Sequence, residues 1–129
     1  MTAFLLDTST LIDFSKHWEP TTSQILVWID AGETVATCAI SVAEFYTGLS
    51  SNDIGIWQDF ITSLTYWPIS FAAAMQAGQD RYRYARQGKA ISITDALLAA
   101  VAREQHAVLV TGNIKDFPMD DLVLLPLPS

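Results

Sequence analysis

Three charge-free, β-prone runs constrain this chain more than anything else in it. They are Phe4-Leu5-Leu6, Thr34-Val35-Ala36-Thr37-Cys38-Ala39-Ile40 and Ala107-Val108-Leu109-Val110-Thr111. Runs without internal charge or alternation suit strands buried on both faces, as in a parallel sheet covered by helices. Helical patterns separate them. Ser41 opens one, with Val42, Phe45, Tyr46 and Leu49 at helical spacing. Further helices are expected after Thr21-Thr22-Ser23, after Asn52-Asp53, and from Phe71 to about Gln87, ended by Gly88. Ala96 to Ala102 is apolar all round and should be buried. Tyr66-Trp67-Pro68-Ile69 reads as an edge strand and Leu122 to Leu125 as the last strand. Strands alternating with helices predict one three-layer α/β/α domain over residues 1–129, with a central, mainly parallel sheet.

The totals exclude several classes. One cysteine, Cys38, rules out an internal disulfide and a cysteine-rich metal site. No apolar run approaches the ~20 residues of a membrane span, and no basic leader precedes Phe4. A cytoplasmic protein without membrane contact is expected. The net charge of −7 argues against a general nucleic-acid field. Four of the seven basic residues, however, fall together as Arg81, Arg83, Arg86 and Lys89, interleaved with Tyr82 and Tyr84. That cluster is either a solvated helix face or a local RNA contact.

Four carboxylates stand at element ends: Asp7 after the first strand, Glu44 after the second, Asp95 opening the apolar helix, and Asp116 beyond Thr111-Gly112-Asn113. Each has a local reading. Asp7 or Ser9 can cap a helix, Ser41–Glu44 fits a capping box, Ser92–Asp95 its looser form, and Asp116 an Asx-type turn. The other ten acids are expected in solvated loops and helix faces. If the three strands are parallel neighbours, the four carboxylates converge on one sheet edge, where open α/β sheets bind ligands. Two such charges ~4 Å apart repel by about 4 kcal/mol at an effective dielectric of 20, so a cluster calls for a cation. Oxygen-only donors favour Mg²⁺ or Mn²⁺, whose usual work is on phosphate oxygens. Ser9, Thr111 and Asn113 are expected to support that site. His17 and His106 lie outside the acidic motifs, and no phosphate-binding Gly-rich loop is present.

Four segments closely resemble the motifs of PIN-domain proteins, in the family's order. They are Leu6-Asp7-Thr8-Ser9-Thr10-Leu11-Ile12, Ser41-Val42-Ala43-Glu44-Phe45-Tyr46-Thr47-Gly48-Leu49, Ile93-Thr94-Asp95-Ala96-Leu97-Leu98-Ala99-Ala100 and Thr111-Gly112-Asn113-Ile114-Lys115-Asp116-Phe117. More narrowly, they resemble VapC-type toxins of bacterial type II toxin–antitoxin systems. The resemblance implies a Mg²⁺-dependent endoribonuclease acting on RNA, blocked by a small antitoxin protein and usually a homodimer. It further implies Asp7 and Asp95 as principal metal ligands, Glu44 completing the acidic pocket and Asp116 matching its fourth, more variable acid. The alternative is a catalytically silent PIN-fold binding module, its carboxylates only capping helices and Trp18, Trp57 or Trp67 docking a partner. An aspartyl-nucleophile phosphatase fits less well, because that chemistry wants a second Asp where Ser9 stands.

Overall fold

The computed structural model describes residues 2–127; Met1, Pro128 and Ser129, included in the expected domain, lie outside them. The elements run β1 (Ala3–Leu6), α1 (Thr8–Ser15), α2 (Thr21–Asp30), β2 (Thr34–Cys38), α3 (Ala39–Thr47), α4 (Ile54–Ser63), β3 (Thr65–Trp67), α5 (Phe71–Ala85), α6 (Ile93–Glu104), β4 (Val108–Thr111) and β5 (Leu124–Pro126). A short 3-10 turn, Ile114–Asp116, lies between β4 and β5. The five strands form one sheet in the order β3-β2-β1-β4-β5, every pair parallel. Leu5 sits at the centre, in register with Ala36 on one side and Leu109 on the other.

Both faces of the sheet are covered, as continuous apolar strands require. Leu5, Ala36, Cys38 and Leu109 pack against α5 and α6, including Ala77, Leu98 and Val101. Phe4, Leu6, Val35 and Val110 face the other way, onto Leu11 and Phe14 of α1, Ile25 of α2, Phe45 of α3 and Ile61 of α4. Each large side chain so buried contributes roughly 1.5–3 kcal/mol of apolar transfer. The apolar helix α6 is buried from Ala96 to Ala102 except at Leu97, which is half-buried. Among the described residues no helix is long and apolar enough to cross a membrane.

Several boundaries differ from the sequence expectation. The helix α3 starts at Ala39 rather than Ser41, directly off the strand, with Cys38 at the cap position and no side-chain cap. Pro20 and Asp53 likewise occupy cap positions of α2 and α4 without a side-chain cap bond. In α2 Ile25 is buried while Leu26 and Ile29 are exposed. The last strand is shifted to Leu124–Pro126, because Leu122 turns inward before the strand begins. His17 and His106 end α1 and α6 in the left-handed region, at φ 58° and 52°. There the following amides close the helix ends, from Trp18 to Asp13 O and from Ala107 to Ala102 O.

Candidate active site

Topology explains why distant acids meet. Asp7 directly follows β1, whose neighbours β2 and β4 run parallel to it. The Asp7 amide donates to the Val110 carbonyl at 3.1 Å, which fixes it beside the end of β4. Asp116 follows that same strand end through the 3-10 turn. Glu44 lies on the helix that leaves the end of β2. Asp95 is in the first turn of α6, which runs back along the sheet before feeding β4, so its N-terminus overlies the same edge.

Asp7 is buried, with 5% of its surface exposed, and is itself the N-cap of α1. Its Oδ1 accepts from the Thr10 amide at 2.9 Å, the Thr10 hydroxyl at 2.8 Å and the Ser9 hydroxyl at 2.8 Å. Of the two candidate caps, Asp7 and Ser9, the structure therefore selects Asp7. Ser9 instead braces the capping carboxylate. One oxygen is saturated, while Oδ2 accepts no hydrogen bond among the described residues, so capping and ligation use different atoms.

The capping-box reading of Glu44 also fails. Ser41 is fully buried and its hydroxyl donates to the Leu6 carbonyl at 3.0 Å, bridging the first two motifs. Glu44 instead accepts from the Thr8 hydroxyl, across 36 residues of chain. At the third motif Ser92 is the N-cap of α6, accepting from the Asp95 amide at 3.1 Å. Asp95 is thus not the cap. Its carboxyl is pushed above 3.8, first by burial; a Ser92 hydrogen bond opposes this, and the charges of Asp116, Asp7 and Glu44 add to the rise. The other three acids are thus close enough to act on Asp95.

Of the expected supporting residues, Ser9 braces Asp7 as described. Thr111 is fully buried, and its hydroxyl accepts from the Asn113 amide at 2.9 Å, shaping the turn toward Asp116. The Asn113 side chain is exposed. A hollow of about 380 Å³ is lined by Asp95 and Asp116 together with Lys89, Lys115, Ile91 and Pro118. Lys115 carries no flag in the sequence beyond its place next to Asp116.

The basic run separates into unlike members. The Arg81 Nε donates to the Ile91 carbonyl at 2.9 Å, Arg83 lies 3.6 Å from Asp80, and Arg86 stacks on Tyr82 with its carbon 4.1 Å from the ring centroid. Only Lys89 reaches the acid-lined hollow. Two acids expected in solvent are buried instead. Asp80 pairs with Arg103 across α5 and α6 at 1% exposure. Asp13 lies 8% exposed in α1, its carboxyl raised first by burial and then by the charge of Asp7, against Lys16. Of the three tryptophans expected to dock a partner, Trp57 and Trp67 are half-buried against the cores, and Trp18 alone is well exposed.

The donor set suits a hard divalent cation. The four acids offer only oxygen donors, one Asp7 oxygen is unengaged, and Asp95 sits in a field that a cation relieves. Among the described residues no three acids, histidines or cysteines close into a ready ligand cage.

Fold and edge together define a three-layer parallel α/β protein with an acid-lined hollow at the carboxyl ends of its central strands. The PIN domain family matches residues 4–118, and the chain belongs to that family. The chain is 29% identical over 122 residues to Ribonuclease VapC2 of Haemophilus influenzae, covering 91% of each. It is 27% identical over 116 residues to Ribonuclease VapC19 of Mycobacterium tuberculosis, covering 89% of this chain and 92% of that protein. The fold superposes with a TM-score of 0.86, at 24% identity, on a chain of the VapBC2 crystal structure from Rickettsia felis bound to a promoter DNA fragment. That match covers 98% of this chain and 99% of the other.

Proposed function

We propose that this chain is a Mg²⁺-dependent endoribonuclease, the toxin of a type II toxin–antitoxin system, with residues 1–129 acting as one catalytic domain. One observation carries the reading. Asp7 is bonded beside the end of β4, Thr8 ties Glu44 to that turn, and Asp95 and Asp116 line one hollow, so the acids of four separate motifs share one edge of a PIN fold. The similarity to VapC ribonucleases over nine-tenths of the chain supports RNA as the substrate, and the likeness to a VapBC chain supports an antitoxin partner. A homodimer in the cytoplasm is part of the same proposal.

In this reading Asp7 and Asp95 hold the metal, Mg²⁺ or Mn²⁺, with Glu44 and Asp116 completing the acidic edge. A bound cation supplies charge neutralisation at a phosphodiester oxygen and acidifies nearby water. The protein's part is positioning. Ser9 and Thr10 lock one Asp7 oxygen so that the other points in a fixed direction. Thr8 restrains Glu44 where a water proton can be accepted. Thr111 holds the turn of Asn113 that precedes Asp116. The contribution of Arg81, Arg83 and Arg86 to RNA binding is secondary, since each is engaged within the protein.

The test is RNA cleavage by the purified chain with and without millimolar Mg²⁺, beside Asp7→Asn and Asp95→Asn. Loss of at least about 10²-fold in either variant is expected, the scale of removing one preorganised charged group. Equal cleavage by all three proteins, or cleavage indifferent to chelation, overturns the assignment.

A further inference from the structure

Lys89 and Lys115 line the same hollow as Asp95 and Asp116, yet neither forms an ion pair among the described residues. The ion pairs among the described residues join only Arg83 and Arg103 to Asp80 and Asp121. The hollow therefore presents uncompensated charges of both signs side by side. We propose that Lys89 and Lys115 form a clamp for the RNA phosphate adjacent to the one that is cut. The clamp rests on the ribonuclease reading above and adds to it a substrate requirement: a second phosphate beside the scissile one.

Both lysines are held by backbone geometry rather than by side-chain partners. Gly88 adopts φ 77°, which an L side chain tolerates poorly, and so ends α5 in the left-handed region. The Gly88 amide then reaches Ala85 O at 3.1 Å and the Lys89 amide reaches Tyr84 O at 2.9 Å. The Lys89 ammonium lies 5.8 Å from the Tyr84 ring centroid, a loose cation–π contact that leaves its donors free. Lys115 sits in the 3-10 turn immediately before Asp116, so any group held at that carboxylate is next to its stem.

Lys89 also borders a second hollow of about 370 Å³, lined by Arg83, Tyr84, Gln87, Asp120 and Asp121 and sharing Pro118 with the first. It thus stands between two adjoining depressions, one holding the site acids Asp95 and Asp116 and the other Asp120 and Asp121, of which Asp121 is paired with Arg103. A strand whose scissile phosphate lies at the acids places its next phosphate at Lys89 if it continues into the second hollow. Lysine suits that task, being a mobile point charge that follows a phosphate without demanding one fork geometry. The net charge of −7 sharpens the case. The protein as a whole repels RNA, so the salt-dependent part of binding falls on the few cations at the site.

The experiment compares the full chain with Lys89→Gln, Lys115→Gln and Lys115→Arg on two substrates. One is a short single-stranded RNA oligomer; the other is a dinucleotide whose one phosphodiester has no neighbour. Each Gln variant should raise KM for the oligomer roughly tenfold, the scale of one charge-assisted hydrogen bond, with kcat nearly unchanged. Neither should alter KM for the dinucleotide, and Lys115→Arg should restore the oligomer value. Binding is read separately, by fluorescence anisotropy of the labelled oligomer on Asp7→Asn protein as salt is raised. There the slope of log K against log salt should fall by about 0.7 for each lysine removed. Unchanged KM and unchanged slopes, with wild-type cleavage intact, overturn the clamp and leave the ribonuclease reading standing. Equal KM changes on both substrates overturn it too, because a general loss of structure does not distinguish them. No cleavage by wild type, or cleavage that survives Asp7→Asn, overturns the ribonuclease reading, and the clamp falls with it.

Discussion

Thr10 holds Asp7 twice. Its amide and its hydroxyl both donate to Oδ1, at 2.9 and 2.8 Å, and the single hydroxyl proton is shared with the Val110 carbonyl 3.0 Å away. One residue thereby ties the helix cap, the candidate metal ligand and the end of β4 together. Thr10→Val is nearly isosteric and removes only the hydroxyl. Val110 O keeps the Asp7 amide, and Oδ1 keeps the Thr10 amide and Ser9, so no buried group is left bare. The expected loss is about 1–2 kcal/mol in urea denaturation, the range for one buried hydrogen bond. Cleavage should drop roughly tenfold, because the free oxygen of Asp7 loses part of its orientation. A Val variant as stable and as active as wild type would show that the hydroxyl positions nothing.

The acidic edge sets a pH dependence whose sign follows from its cause. Burial and the charges of Asp116, Asp7 and Glu44 raise the Asp95 carboxyl above 3.8 in the folded chain. Between 3.8 and the raised value the native state binds more protons than the unfolded state, so stability falls as pH rises through that window. Above it the penalty is constant. Asp95→Asn removes this component. It should stabilise the metal-free protein near neutral pH by roughly 0.5–1 kcal/mol, the scale of a partly screened charge interaction, and flatten its pH slope. Because Ser92 rather than Asp95 caps α6, the helix start survives the change. Adding Mg²⁺ should reverse the order, raising the melting temperature of wild type but not of the variant. Urea melts at pH 4 and pH 7 with chelator, repeated with Mg²⁺, check both parts. A variant that follows wild type in both would remove Asp95 from the acidic edge.

How much of this was legible beforehand depended on whether a residue's role is local. The runs Phe4–Leu6, Thr34–Ile40 and Ala107–Thr111 carry no charge and read directly as strands buried on two faces, although the strands themselves cover only Ala3–Leu6, Thr34–Cys38 and Val108–Thr111. Their adjacency was the condition on which the four acids would converge, and the sheet order meets it. The start of α3 was not legible, since Ala39 and Ile40 continue the composition of β2 and Cys38 offers no capping oxygen. The roles of Ser41 and Thr8 were hidden for a different reason. Their partners, Leu6 O and Glu44, lie 35 and 36 residues away, while a capping box needs only four consecutive residues to look convincing. The basic run looked uniform because charge alone does not say which guanidinium is already engaged. Asp80 did leave a signal. Ala73, Ala77, Asp80 and Tyr84 fall at i, i+4, i+7 and i+11, so the buried stripe of α5 runs straight through a carboxylate.

That carboxylate shapes the last prediction. Asp80 is 1% exposed and pairs with Arg103, which also reaches Asp121 at 3.1 Å; Gln76 donates to Asp80 at 2.9 Å and Arg83 lies 3.6 Å away. The group clamps α5 to α6, the helix that carries Asp95. Removing one member of a buried pair strands the other, at a cost of about 3–5 kcal/mol. Arg103→Met should therefore destabilise strongly, toward the lower end of that range because Arg83 and Gln76 remain. Replacing both charges, as Asp80→Leu with Arg103→Met, removes the stranded ion and should recover most of the loss. Arg103 Nε finds no partner among the described residues, so the pair is not fully satisfied, and an apolar substitute gives up less than it would for a fully bonded one. Arg103→Lys should fall between the two, keeping the charge but losing the fork that spans Asp80 and Asp121. Urea denaturation of the three variants orders them. If the double variant is no more stable than Arg103→Met, the pair contributes net stability of its own and the stranded-charge account is wrong.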